Sequence, residues 1–272
     1  MNYQHAFHAG NFADCFKHVL LVALLDALTC KPSPLFVLDT HAGAGHCDLQ
    51  MEAARRTGEA DFGIRRLLAC RPVGLERYLG LVDQLEPYPG SPALIRAVLR
   101  EQDRLVCCEL DPEAVRRLRT YFRHASQVHV HQRSGWEAIG GLLPPVERRG
   151  LVFIDPPFEE TDEFTTLAEA IGRVHRRFGH GVLAGWYPMK RQAVVRGFYA
   201  HVVGLNIRDV IAVEFRLRKT LDPGRFNGCG MIVVNPPYLF LQSAHSLAEA
   251  VLQALGPLET GAGVDLIRLA DE

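Results

Sequence analysis

The chain is 272 residues long, 48% hydrophobic and 22% charged, enough for one large α/β domain with an insertion or for two small domains. A formal net charge of -1 excludes a global basic field, so any nucleic-acid partner has to be met by a local patch of cations. Seven cysteines with no C-x-x-C, no signal-like start and no long apolar span predict reduced thiols in a cytoplasmic protein that does not engage a membrane.

Met1 to Gly10 is polar and rich in histidine, with Tyr3, His5 and His8. From Asn11 to Cys30 the apolar residues Phe12, Phe16, Val19, Leu20, Ala23 and Leu24 recur at helical spacing. Asn11 suits the N-cap, and Asp14 suits the first turn. Lys17 and His18 lie inside this helix and read, on spacing alone, as a solvated lysine and a half-buried histidine. Leu35 to Asp39 is the first strand, and it leads into Thr40-His41-Ala42-Gly43-Ala44-Gly45. Small residues at such a turn let a ligand approach the backbone. G-x-G without a third glycine fits a dinucleotide fingerprint poorly. His41 reads equally as a ligand contact or as a polar loop residue.

The strand-helix rhythm then breaks. Helical stretches around Ala60–Cys70 and Gly74–Leu85, the loop Tyr88-Pro89-Gly90-Ser91-Pro92 and a helix to Arg100 predict an inserted helical subdomain over 46–99. Residues 1–45 and 100–272 then form one Rossmann-like domain. The insert reads either as a substrate holder or as a lid. Arg104 to Glu109 is the second strand, and Glu109 is placed to accept hydrogen bonds from ribose hydroxyls. Asp111 instead caps the helix Pro112–His124. Gln127–His131 is a third strand, running into Ser134-Gly135-Trp136. Leu151–Asp155, Gly181–Trp186, Asp209–Phe215 and Met231–Asn235 are the fourth to seventh. His129 and His131 alternate along a strand and there is no H-E-x-x-H, so no metal site is expected.

The fourth strand carries the chemistry. Leu151-Val152-Phe153-Ile154 is an unbroken apolar run that suits a strand buried on both faces, and Asp155-Pro156-Pro157-Phe158 ends it. A carboxylate and an aromatic ring are thereby presented at a strand's carboxyl end, where open α/β sheets bind ligands. The tetrapeptide resembles the signature of S-adenosylmethionine-dependent methyltransferases that act on exocyclic amino groups of bases. In that chemistry Asp155 and the Pro156 carbonyl accept hydrogen bonds from the amine and localise its lone pair, while Phe158 stacks on the base. D-P-P is also an ordinary strand-ending turn. Asn235-Pro236-Pro237-Tyr238 is an equally good match, but in a seven-stranded sheet of this type the last strand runs antiparallel. Its end then faces away from the glycine loop, which favours Asp155. Lys190, Arg191 and Arg225, with Lys17, are the cations expected to meet phosphates, or else to form a solvated rim.

The opening Tyr3–His18 with H-A-G-N-x-A-D and K-H, the D-T-H-A-G-A-G loop, Y-P-G-S-P, the strand-ending Glu109, R-R-G-L-V-F-I-D-P-P, W-Y-P and G-M-I-V-V-N-P-P-Y occur in this order. Nearly end to end, the chain resembles the bacterial 23S ribosomal RNA adenine-N6 methyltransferases of the RlmJ family. The resemblance implies a seven-stranded Rossmann-like class I methyltransferase sheet with an inserted helical subdomain, and S-adenosylmethionine as cofactor. It implies direct methyl transfer to adenosine in 23S ribosomal RNA, met as protein-free RNA or an early assembly precursor, by a monomer. It places His18, His41, Gly43, Gly45, Ser91, Glu109, Ser134, Gly135 and Asp155 around the cofactor. Asp155, Pro156 and Phe158 would lie at the adenine, and Tyr3, His5 and Lys17 on the RNA side. Two positions depart from the family pattern: Ser134 stands where an aspartate is usual, losing a charge, and Phe158 where a tyrosine is usual, losing a hydroxyl. A DNA adenine methyltransferase, a nicotinamide oxidoreductase and a non-catalytic RNA-binding protein are the competing readings of the residues alone.

Overall fold

The computed structural model describes residues 9–50, 58–160, 162–222, 224–256 and 258–272. Helix α1 (Phe12–Thr29) starts where the Asn11 side chain accepts the N–H groups of Ala13 and Asp14 at 2.9 and 3.0 Å. Strand β1 (Phe36–Asp39) follows. The segment after it contains β2 (His46–Cys47), a 3-10 turn (Glu59–Phe62), α2 (Ile64–Cys70), α3 (Glu76–Gln84), β3 (Tyr88–Pro89) and α4 (Ser91–Val98). Then come β4 (Arg104–Glu109), α5 (Pro112–Tyr121), β5 (Val128–Gln132), α6 (Gly135–Leu142), β6 (Gly150–Ile154) and α7 (Glu163–Arg177). The chain ends with β7 (Val182–Met189), α8 (Gln192–Gly204), β8 (Val210–Arg216), β9 (Gly228–Val234), α9 (Tyr238–Ala254) and β10 (Gly263–Ala270).

The main sheet has the order β10-β8-β9-β7-β6-β1-β4-β5. Strands β5, β4, β1, β6 and β7 pair in parallel, whereas β9 is antiparallel to both β7 and β8. All seven expected strands are present, and β10 adds an eighth, antiparallel to β8 at the edge. Strand β7 runs three residues beyond the expected end at Trp186, through Pro188. Its pairing with β6 stops at Gly185, so the proline removes no N–H from a ladder on that side.

Strands β1 and β6 are buried on both faces, with side chains alternating between two layers. Val37, Leu151 and Phe153 face a core shared with α1 and α9, while Leu38, Val152 and Ile154 face one shared with α6, α7 and α8. In the 46–99 segment, β2 and β3 form a small antiparallel ladder apart from the main sheet. Helix α3 packs on α1 and α2 on α9, while α4 lies against α1, β1 and β4, the place of a crossover helix between parallel strands. All seven cysteines are free thiols. Among the described residues no helix is long and apolar enough to cross a membrane.

Candidate active site

Parallel pairing brings the carboxyl ends of β1, β4 and β6 to one edge, with Asp39 in register with both Cys107 and Phe153. The chain leaving β1 is held between its neighbours: Thr40 N donates to the Phe153 carbonyl at 3.1 Å and Ala42 N to that of Cys108 at 3.0 Å. Gly43 and Gly45 then adopt positive φ, +59° and +82°, which glycine enters without strain. Glu109, at the end of β4, closes onto this loop, its Oε2 accepting Gly43 N at 2.8 Å while Oε1 accepts the N–H groups of Leu110 and Asp111. Gly90 N donates to the Gly45 carbonyl at 2.9 Å, so the Y-P-G-S-P segment is tied to the glycine loop. Gly135 admits no side chain: a Cβ there would lie 2.0 Å from the Thr40 carbonyl oxygen. Ser134 precedes it as the N-cap residue of α6, half-buried, its carbonyl accepting Ala138 N.

Asp39 is fully buried beneath the loop and accepts the Ser91 hydroxyl at 2.7 Å. Burial pushes its pKa up to about 7; the Ser91 hydrogen bond opposes the rise and the Asp155 charge adds to it. His41 pairs Nδ1 with the Thr40 hydroxyl at 2.8 Å and sets its ring against Trp136, centroids 4.8 Å apart. The packing around the imidazole pushes its pKa down, so it is neutral near neutral pH.

Asp155 leaves the sheet at the end of β6, half-buried, with Pro156 buried behind it. Its Oδ2 accepts Lys17 Nζ at 2.6 Å, and the same ammonium lies 2.9 Å from Asp14 Oδ1 and 5.7 Å from the Trp186 ring centroid. Lys17 is thus 6% exposed and sits between two carboxylates, away from the exposed surface where it was expected to meet phosphates. Asp14 is fixed in turn by accepting Gly10 N at 2.9 Å. A lysine one helical turn after Asp14, on the face of α1 that packs toward β9, could have signalled this arrangement only with the topology known.

Phe158 has φ +53°, a strained value for a residue with a side chain. Its ring lies 4.9 Å from Phe164 and meets Trp186 edge-on at 5.7 Å. Trp186 was not singled out from the sequence, although W-Y-P at the end of a parallel strand was a usable signal. His18, buried at 1% exposure, belongs to a chain of polar rings in which its Nδ1 lies 3.4 Å from Tyr88 Oη, itself 3.1 Å from Tyr78 Oη. Ser91 thus reaches the site edge at Asp39 from the 46–99 segment, while His18, on α1, meets that segment at Tyr88.

Lys190 and Arg191 are exposed just past the end of β7. Arg225 is exposed too, but it shares Glu259 with Arg218 at 3.3 and 2.8 Å. Buried Asn227 binds this loop to β7, its Nδ2 donating to the carbonyls of Lys190 and Asp222 at 3.2 and 2.7 Å. Tyr3 and His5 lie outside the described residues. Asn235 ends β9, whose Val234 pairs with Leu183 at the start of β7, so it sits on the opposite edge from Asp155. Among the described residues no group of three or more metal-ligating side chains is placed to hold an ion.

Comparison with known proteins gives a consistent result. The family model "RsmJ: Ribosomal RNA large subunit methyltransferase D, RlmJ" matches residues 32–267. Ribosomal RNA large subunit methyltransferase J of Escherichia coli is 36% identical, and that of Haemophilus influenzae 34% identical, over 96% of this chain and 96% of each of theirs. The crystal structure of protein LPL1258 from Legionella pneumophila superposes with a TM-score of 0.83 at 33% identity, covering 96% of this chain and 97% of that one.

Proposed function

Because the chain belongs to the RlmJ family of ribosomal RNA large subunit methyltransferases, we propose that it transfers the methyl group of S-adenosylmethionine to N6 of an unpaired adenosine in 23S ribosomal RNA. The substrate is protein-free RNA or an early assembly precursor, and the enzyme works as a cytoplasmic monomer. The observation that carries this reading is the position of Asp155, at the end of a parallel strand on the same edge as the glycine loop and gripped by Lys17.

The residues fit the cofactor. Beyond the Cβ position of Gly43 nothing lies within 4 Å, which leaves room beside the loop. Backbone N–H groups use three of the roughly four acceptor sites of the Glu109 carboxylate, leaving about one for a ribose hydroxyl. Ser134 offers an uncharged acceptor where the family pattern has a carboxylate. When bound, S-adenosylmethionine supplies an electrophilic methyl group on a sulfonium.

The protein's own task is to present the amine. Adenine N6 is a poor nucleophile because its lone pair is delocalised into the ring. Asp155 and the Pro156 carbonyl accept hydrogen bonds from its two N–H groups and localise that pair toward the methyl. Lys17 aims the Asp155 carboxylate and shares its charge, so that it accepts a hydrogen bond from the amine rather than removing a proton before transfer. Phe158 and Trp186 form an aromatic wall against which an unpaired base can rest. Much of the acceleration then comes from alignment.

The test is incubation with labelled S-adenosylmethionine and either protein-free ribosomal RNA or DNA, followed by mapping of the modified base. Label in N6-methyladenosine of 23S RNA is expected. Label on another base, or in DNA alone, defeats the reading.

A further inference from the structure

Helix α5 and the segments flanking edge strand β5 carry a concentration of positive charge that the site described above does not use. From residue 116 to 133 the chain holds Arg116, Arg117, Arg119, Arg123 and Arg133, three histidines and no acid, in a protein whose net charge is -1. Among the described residues only Arg116 of these five has a carboxylate partner, the exposed Glu113 at 2.6 Å. Arg119 instead donates to the Val130 carbonyl, and Arg123 to the neighbouring His124 ring. Clustered cations without counter-charges repel one another, so such a patch is favourable chiefly when a polyanion lies across it.

The surface is shaped as well as charged. A concavity of about 430 Å³ lies among His46, Arg117, Tyr121 and Arg123, and another of about 340 Å³ opens beside Arg119 and His131. The His46 ring rests on Tyr121 with centroids 4.9 Å apart, and its Nδ1 is buried without a partner among the described residues. His46 directly follows Gly45, so the larger concavity adjoins the glycine loop. Strand β5 stands three places from β6 in the sheet, ~14 Å at ordinary strand spacing. Nucleotides flanking an adenosine held at Asp155 can reach that far.

We propose that α5 and the turns beside β5 form a phosphate-binding surface for the RNA substrate, with Arg117 and Arg123 taking phosphodiester groups at the larger concavity, Arg119 one at the smaller, and His46 with Tyr121 offering a face to an unpaired base. This rests on the reading of the substrate as RNA. Guanidinium forks match phosphate oxygens bidentately, which suits arginine rather than lysine to the task.

Charge beside an edge strand, such as Arg119 on the Val130 carbonyl, also guards against sheet-to-sheet pairing. Reversing the charge preserves that guard while repelling RNA, so it separates the two roles. In the variant carrying Arg117→Glu, Arg119→Glu and Arg123→Glu, the slope of log affinity for a protein-free 23S RNA fragment against log salt should fall by about three, roughly one per phosphate contact. KM for that RNA should rise at least about tenfold, with S-adenosylmethionine affinity unchanged in a direct titration. Arg176→Glu, exposed on α7 in the other layer, is the control and should leave the slope as it is. A wild-type slope and KM in the triple variant overturn the proposal. Should that variant fail to fold, Arg123→Glu alone decides by a slope change of about one. Wild-type protein that binds the RNA but transfers no methyl counts against the Asp155 reading, and the slope comparison still decides the phosphate-binding surface.

Discussion

Two similar tetrapeptides, each a polar residue, two prolines and an aromatic, lie at opposite edges of one sheet. Asp155-Pro156-Pro157-Phe158 ends a strand parallel to its neighbours, and Asn235-Pro236-Pro237-Tyr238 ends one antiparallel to both of its own. In the first, the leading side chain meets Lys17 and the fourth residue faces Trp186. In the second, Asn235 turns with φ +52° and its Nδ2 donates to the carbonyls of Gly179 and Gly181 at 2.9 and 2.8 Å. The following Tyr238 is 72% exposed and opens α9. One motif therefore presents a polar group on the edge that carries the glycine loop, and the other fastens a loop. Strand direction makes the difference, and residue type does not.

The sharpest way to break this contrast is Asp155→Ala. Methyl transfer should fall by on the order of 10³-fold, about 4 kcal/mol of transition-state stabilisation, with S-adenosylmethionine binding retained within a few-fold in a titration. Retained turnover would move the chemistry elsewhere. Asn235→Ala is the mirror experiment. It removes two hydrogen bonds and leaves alanine in a left-handed conformation, so stability should drop by about 2–3 kcal/mol in denaturant unfolding while kcat stays at its wild-type value. A lost kcat with unchanged stability would reverse the assignment of the two motifs. A smaller effect is expected from replacing Lys190, Arg191 and Arg225 together by alanine. Arg225 already shares Glu259, so the salt slope of RNA binding should fall by about two rather than three. An unchanged slope would make them a solvated rim.

Much of this arrangement was readable from the residues. The seven strands follow from apolar or alternating runs, three of them closed by an acid at Asp39, Glu109 and Asp155, and the choice between the two tetrapeptides follows from strand direction once the sheet type is inferred. Periodicity cannot show which buried cation finds which carboxylate. Lys17 and Asp155 are 138 residues apart in sequence, and their 2.6 Å pairing exists only because α1 packs across the sheet. Spacing favours a solvated lysine because burying an isolated ammonium is costly, and the cost is met here by Asp14 and Asp155 together. Strand β10 escapes a reading by apolar runs, although Val264-Asp265-Leu266 alternates and Gly256, Gly261 and Gly263 mark a turn before it, because at the sheet edge most of its side chains are only half-buried or exposed. Asp39 reads from the sequence as the acid ending a strand, and its role beneath the loop depends on Ser91, the first residue of α4, which the 46–99 segment brings back to it.

Asp39 also gives the two edges different responses to pH. Its folded pKa, about 7, lies above the ordinary 3.8, so ionisation is disfavoured in the fold. Below about pH 4 the group is protonated whether the chain is folded or not, and it contributes no pH dependence. From there up to about pH 7 the folded chain keeps a proton that the unfolded chain has lost, so stability falls as pH rises. Above that the cost of the buried charge is fully present and the slope vanishes. Asp39→Asn keeps an oxygen for the Ser91 hydroxyl and cannot ionise. The Tm of the wild type relative to this variant should therefore decline between about pH 4 and pH 7 and then level off. Ser91→Ala removes a hydrogen bond that favours the ionised form, so the decline should extend to higher pH. A Tm difference independent of pH would mean that Asp39 titrates normally and that the edge beneath the glycine loop is not a closed environment. The deficit caused by Asn235→Ala must be the same at pH 5 and pH 8 in either case, because an amide that caps a loop has no proton to exchange.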